Sequence, residues 1–96
     1  MTPVFEWDAR KAGTNQAKHG VSFALASRVF ADPLARVFPD PDHSVAERRS
    51  IIIGHASTRD LLIVAFAEPD PDRVRIISAR VASKRERKKY EENLLE

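Results

Sequence analysis

Residues 73–90, RVRIISARVASKRERKKY, change period halfway along, and that change limits what the chain can fold into. Val74, Ile76 and Ser78 alternate with Arg75, Ile77 and Ala79, so both faces of the first half carry apolar side chains. A strand apolar on both sides belongs inside a sheet. Ser83 then reads as a helix N-cap, and Glu86, three residues on, completes a capping box. The strand therefore delivers Arg80 to its own end, beside the first turn of a basic helix. Arg73, Arg75, Arg80, Lys84, Arg85, Arg87, Lys88 and Lys89 place half of the 16 Lys and Arg residues in this stretch. Such an array suits phosphate; a solvated charged helix is the plainer reading.

The remaining composition bounds the answer. A chain of 96 residues, 43% apolar and 31% charged, is expected to form one small globular domain over 1–96. It has no cysteine, which excludes a disulfide scaffold and a cysteine-based zinc site and fits a reducing cytoplasm. No apolar run is long enough to span a membrane, and MTPVFEWDARK does not read as a signal peptide. The formal charge is only +2, so an anionic partner has to be argued from where the charge sits.

From the N-terminus, Val4–Trp7 is a strand candidate with Phe5 and Trp7 on one face, read as core. Asp8 caps a helix from about Ala9 to Lys18, and Gly20 stops it. Lys11, Asn15 and Lys18 share a face of that helix, read as a polar outer face with a phosphate-binding edge as the sharper alternative. Ser22 caps a second helix with Phe23, Ala26, Val29 and Phe30 as its apolar stripe, ended by Asp32-Pro33. Leu34–Phe38 is a further strand, and residues 39–44 are a loop. Arg48–His55 and Leu61–Ala67 form a hairpin, the second strand being central because it is apolar throughout. Glu68–Asp72 is the next turn. Strand, helix, helix, a run of antiparallel strands and a last helix make an α+β domain.

Few patterns carry chemistry. His19, His43 and His55 are not paired at helical spacing, and Asp40, Asp42 and His43 offer only a weak metal grouping, so no cofactor is expected. There is no Gly-rich phosphate loop and no setting for a serine triad. What remains is a set of basic and polar groups at the rims of the sheet: His43 and Glu47 leading to Arg49, Arg59 at the hairpin turn, and Arg80 with Lys84.

The segments FEWDARKAGTNQAKHGVSF (5–23), VFADPLA (29–35), DHSVAERRSIIIGHAST (42–58), RDLLIVAF (59–66) and RIISARVASKRERKKYE (75–91) resemble the BrnT toxins of type II toxin–antitoxin systems. The resemblance implies a fold related to the RelE and ParE toxins: two N-terminal helices, a small antiparallel sheet and a C-terminal helix. It implies a cytoplasmic ribonuclease that arrests translation and growth. It also implies a BrnA-type antitoxin partner with a ribbon-helix-helix end, whose complex with the toxin represses its own operon, so that operator DNA is met only through the antitoxin.

A metal-free ribonuclease uses the RNA's own 2′-hydroxyl as nucleophile. It needs a base for that hydroxyl, an acid for the departing 5′-oxygen and cations around the phosphorus. On the family pattern Glu47 or His43 would be the base, with the other of the two or Tyr90 the acid. Arg59 and Arg80 would hold the non-bridging oxygens. Lys11, Lys18, Arg49, Lys84 and Arg87 would bind the RNA backbone. Two readings of other classes stand beside this one: a non-catalytic corepressor acting with the antitoxin, and a ParE-like inhibitor of DNA gyrase.

Overall fold

Five strands and three α-helices make up the described part of the molecule, which in this computed structural model is residues 3–43, 47–57 and 60–94. The strands are β1 (Val4–Glu6), β2 (Arg36–Pro39), β3 (Arg49–His55), β4 (Leu61–Asp70) and β5 (Arg73–Val81). The helices are α1 (Ala9–His19), α2 (Phe23–Ser27) and α3 (Lys84–Leu94), with short 3-10 turns at Arg28–Ala31 and Pro41–His43. The sheet order is β1-β5-β4-β3-β2.

The helix ends follow from their capping residues. Asp8 accepts from the N–H groups of Arg10 and Lys11, and Gly20 closes α1 in the left-handed region at φ 71°. Ser22 accepts from Leu25 N–H at the start of α2. At α3 the capping box forms in both directions: Glu86 N–H donates to Ser83 Oγ at 3.2 Å, and Ser83 N–H donates to Glu86 Oε1 at 2.9 Å.

The sheet is mixed, not wholly antiparallel as expected. β1 lies parallel to β5, pairing Phe5 with Val74 and Glu6 with Arg75, whereas the other neighbours are antiparallel. Hairpin signals in a sequence report only neighbours in the chain, and this pairing joins residues 69 apart. β4 runs on to Asp70 through the segment read as a turn, and it can do so because that segment pairs with the start of β5. β2 begins at Arg36, since Leu34 belongs to the turn that Asp32 organises by accepting from Leu34 N–H.

One face of the sheet is closed by α1, α2 and the turn after α2. Ile52, Leu62, Val64, Phe66, Val74, Ile76 and Ala79 meet Val21, Phe23, Ala26 and Val29 there. Phe30 bridges Phe5 and Phe66 with edge-to-face rings at 5.1 and 5.0 Å. Trp7 departs from the core expectation: it lies past the end of β1, is 40% exposed and touches Phe23 only edge-on.

Asn15 is a second departure. Lys11 and Lys18 are exposed, but Asn15 between them is buried. β1 covers β5 only as far as Arg75, so the backbone of Ala79 needs other partners. The Asn15 amide supplies them as a strand would, donating to Ala79 O at 2.9 Å and accepting from Ala79 N–H at 3.1 Å. It also donates to Val21 O at 3.0 Å.

Candidate nucleic-acid site on the open face of the sheet

Residues opposite one another in paired strands point to the same face. The register Arg36–Ile53–Ile63–Arg80 therefore forms one row on the face away from α1 and α2, with an arginine at each end and two isoleucines between. Three strand spacings separate the ends, about 14 Å between backbones. α3 covers only part of this face. Between helix and sheet lies a groove of about 260 Å³ lined by Arg36, Phe38, Ile53, Glu86, Lys89, Tyr90 and Asn93.

Tyr90 anchors α3 there. It is 4% exposed and donates its hydroxyl hydrogen to Leu34 O at 2.8 Å. Burial and the charge of Asp32 push its phenol above the ordinary value, with Arg36 pulling the other way. Arg80 makes a two-pronged ion pair with Glu86, both bonds 2.8 Å long. That pair, helped by Ser83 N–H, holds the Glu86 carboxyl down at about 2, and Glu86 in turn raises the Arg80 guanidinium. Glu86 engages two of the five guanidinium N–H donors, so the fork retains capacity toward a phosphate oxygen. Arg36, Lys89 and Arg80 against Glu86 leave this strip net positive, and its apolar floor can take a base or ribose.

The expected site residues fall into separate places. Arg80 and Tyr90 come together at this rim, with Lys84 exposed on the first turn of α3 and Arg87 half-buried one turn on. Glu47 lies at the other end of β5, 3.3 Å from Arg75, which also holds Glu6 at 2.9 Å. The bond to Glu6 raises Arg75; burial pulls it the other way, and the charges of Glu47 and Glu6 add to the rise. Arg75 and Arg80 are five residues apart along the strand, about 16 Å. Arg49 pairs in register with Ala67, and Ala67 with Arg75, so it belongs to the Glu47 end. His43 ends the 3-10 turn that precedes Glu47, but its side chain lies outside the described residues, as does Arg59. Lys11 and Lys18 line a different cleft of about 350 Å³ beside β5, with Arg10, His19 and Ser78. The two ends of the sheet thus divide residues that the sequence reading grouped together at its rims.

Three residues of the groove and its border escaped the sequence reading: Arg36, Lys89 and His55. Arg36 was inside a recognised strand segment, and Lys89 inside a recognised charge run. His55 closes β3, with its ring edge-on to Tyr90 at 6.0 Å. The signal that links it to the rest is the strand register, which places it on the same face as Ile53.

A half-covered sheet face with an arginine at each end of a row, backed by two helices on the other side, defines a small α+β domain. Residues 7–86 match the model of the family described as ribonuclease toxin, BrnT, of type II toxin–antitoxin system. The chain belongs to that family. It is similar to the crystal structure of the Brucella abortus ribonuclease toxin BrnT, with 30% identity and a TM-score of 0.67, covering 88% of this chain and 100% of that one. No curated protein sequence matches it. Among the described residues, no helix is long and apolar enough to cross a membrane.

Proposed function

We propose that this chain is the toxin of a type II toxin–antitoxin system and a metal-independent endoribonuclease of the RelE/ParE-like kind, folded as one domain over 1–96. It cuts RNA by attack of the 2′-hydroxyl on the adjacent phosphorus, giving a 2′,3′-cyclic phosphate and a 5′-hydroxyl, and so stops translation in the cytoplasm. The observation that carries this reading is the groove beneath α3, where Arg36 and Lys89 stand around an apolar floor and Arg80 is bonded to Glu86 of its wall, in a chain of the ribonuclease-toxin family. A planar guanidinium meets two phosphate oxygens at once, and a fixed cation stabilises the charge that builds as the phosphorane-like transition state forms. Lys84 and Arg87 extend the positive strip along the helix, and Lys11, Lys18 and Arg49 guide the flanking RNA. Arg59 is assigned to phosphate binding and Tyr90 to seating α3 over the groove, while His43 and Glu47, at the other end of the sheet, are assigned to contact with the flanking RNA.

The partner in this reading is a BrnA-like antitoxin with a ribbon-helix-helix end. It covers the toxin, and the complex represses its own operon, touching operator DNA through the antitoxin alone. The test is cleavage of total RNA by the purified chain, freed of antitoxin, in EDTA, with and without translating ribosomes. Wild type should cleave, and a folded Arg80→Ala variant should lose on the order of 100-fold in rate. Absence of cleavage under both conditions would overturn the ribonuclease reading.

A further inference from the structure

His55, whose ring meets Tyr90 of the groove, also lines an open cleft of about 660 Å³ with Arg28, Ala31, Asp32, Ala56 and Ser57. The fold brings two of these residues together in a way that serves more than the backbone. Asp32, which follows the 3-10 turn after α2, accepts Leu34 N–H on Oδ1 at 2.9 Å and His55 N–H on Oδ2 at 2.7 Å. The same Oδ2 lies 3.7 Å from Nδ1 of the His55 ring. Burial pushes the Asp32 carboxyl up, but the His55 and Leu34 N–H groups and the nearby ring outweigh it and hold it below its ordinary value.

The close approach depends on Gly54. A Cβ at that position would stand 2.8 Å from Ala35 Cβ, 2.9 Å from Val29 Cγ1 and 3.1 Å from Asp32 Oδ2. The missing side chain lets the turn, and with it the carboxylate, sit against β3. The Asp32 side chain is 11% exposed, so it is a nearly enclosed charge. The His55 ring is held by that charge and by the Tyr90 ring, yet 34% of its side chain stays open. A turn that only needed closing would need the backbone N–H of residue 55 and no imidazole. Nδ1 faces the carboxylate, which leaves Nε2 for the cleft.

We infer that His55 is the general base of the ribonuclease site, that Asp32 positions it, and that the reacting phosphate lies between His55 and Arg28 in the cleft, with the RNA running on into the groove of Arg36 and past Arg80. This rests on the ribonuclease reading above. In the step, the 2′-hydroxyl gives its proton to His55 Nε2, the O2′–P bond forms and the P–O5′ bond breaks. The 5′-oxygen takes a proton from water, and the imidazolium returns its own proton to the hydroxide so formed. A histidine oriented by a carboxylate is suited to this exchange because one nitrogen stays fixed while the other turns over its proton. The charged and titratable groups on the elements that meet the ring are Asp32 from the turn after α2, Tyr90 from α3 and Arg28 at the cleft wall; beyond them, Arg36 of β2 acts on Tyr90, and Asp60 accepts from Ser57 at 3.1 Å.

The experiment is single-turnover cleavage of a labelled RNA across the neutral pH range, beside binding of the same oligonucleotide with 2′-deoxy sugars. His55→Gln keeps the backbone N–H that Asp32 accepts; His55→Asn is the second variant should the first not fold by circular dichroism. The expected result is a loss of about 100-fold or more in rate, disappearance of one ionisation limb of the pH–rate profile, and unchanged binding. Asp32→Asn should lower the rate less and leave that limb in place. Wild-type rate and an intact limb in a folded His55 variant would overturn the assignment while leaving the ribonuclease reading standing. A wild type that cleaves no RNA at any pH, with or without ribosomes, would overturn both.

Discussion

α1 and α3 are each 11 residues long and lie on opposite faces of one sheet, but they are attached in different ways. α1 and its successor α2 seal a core, and the only buried polar side chain of α1, Asn15, is fully hydrogen-bonded to strand and loop backbone. α3 is held by the Tyr90 ring and hydroxyl, by the Arg80–Glu86 pair and by its capping box, and beyond them it leaves a groove. One face has apolar area removed from water as its main source of stability. The other keeps isoleucines half-covered and arginines in reach of solvent. The difference teaches where function can reside: the interior of the sealed face is filled by apolar side chains, so its clefts lie only at the rims, whereas the half-covered face keeps charge and an apolar floor beneath its helix.

If the faces differ in this way, paired substitutions in neighbouring positions of β4 should separate them. Leu62 is fully buried on the sealed face, and Ile63 is partly covered on the open one. Leu62→Ala should cost about 3 kcal/mol, within the range for a buried leucine. Ile63→Ala should cost about 1 kcal/mol, because only part of its surface is removed from water. Urea unfolding measures both, and equal losses would break the comparison. Next in size is Asn15→Leu. It leaves the N–H and C=O of Ala79 and the C=O of Val21 without their amide, at a cost of about 2 kcal/mol. Proteolysis near α1 should become faster with it, while a variant at Tyr90 should expose α3 instead.

These same residues show what the sequence could and could not reveal. Caps are local, so Asp8, Gly20, Ser22, Ser83 and Glu86 announced the helix ends from the chain alone. The α+β order and the central β4 followed from apolar periodicity. Partners distant in the chain left no such trace. Asn15 looked like an exposed companion of Lys11 and Lys18 because helix spacing cannot show that the edge of β5 stops being covered after Arg75. Glu47 meets Arg75, and Asp32 meets His55, through strand register and a close approach at Gly54, neither of which has a motif. Arg80 was legible as a residue at the end of a strand beside a basic helix, but its companions Arg36 and Lys89 come from the opposite edge of the sheet and from the second turn of α3.

On the lightly held face, the larger of two small effects belongs to Tyr90→Phe. It retains the ring against His55 and removes only the bond to Leu34 O, so stability should fall by about 1 kcal/mol in the same urea assay. A loss as large as that of Leu62→Ala would mean that α3 is as firmly seated as α1.

The smallest effect has a definite pH window. In the folded chain the Glu86 carboxyl sits at about 2, below its ordinary value of 4.5, chiefly through Arg80 and then through Ser83 N–H. A carboxyl whose pKa is lowered by folding stabilises the fold fully above its unfolded value, and the benefit disappears as pH falls through the folded value. Glu86 is about a third exposed, so solvent screens the pair and the gain is small. Other carboxylates titrate in the same range, and the informative quantity is the difference between wild type and Glu86→Gln. Thermal unfolding should show that difference constant near neutrality, shrinking below about pH 4.5 and nearly gone at about pH 2. A difference that stays constant down to the acid end would mean that Glu86 acts through its shape at the start of α3 and not through its charge. In that case the Arg80 fork would not be held by an ionic partner, and the groove would lose the restraint that keeps its guanidinium aimed along the rim.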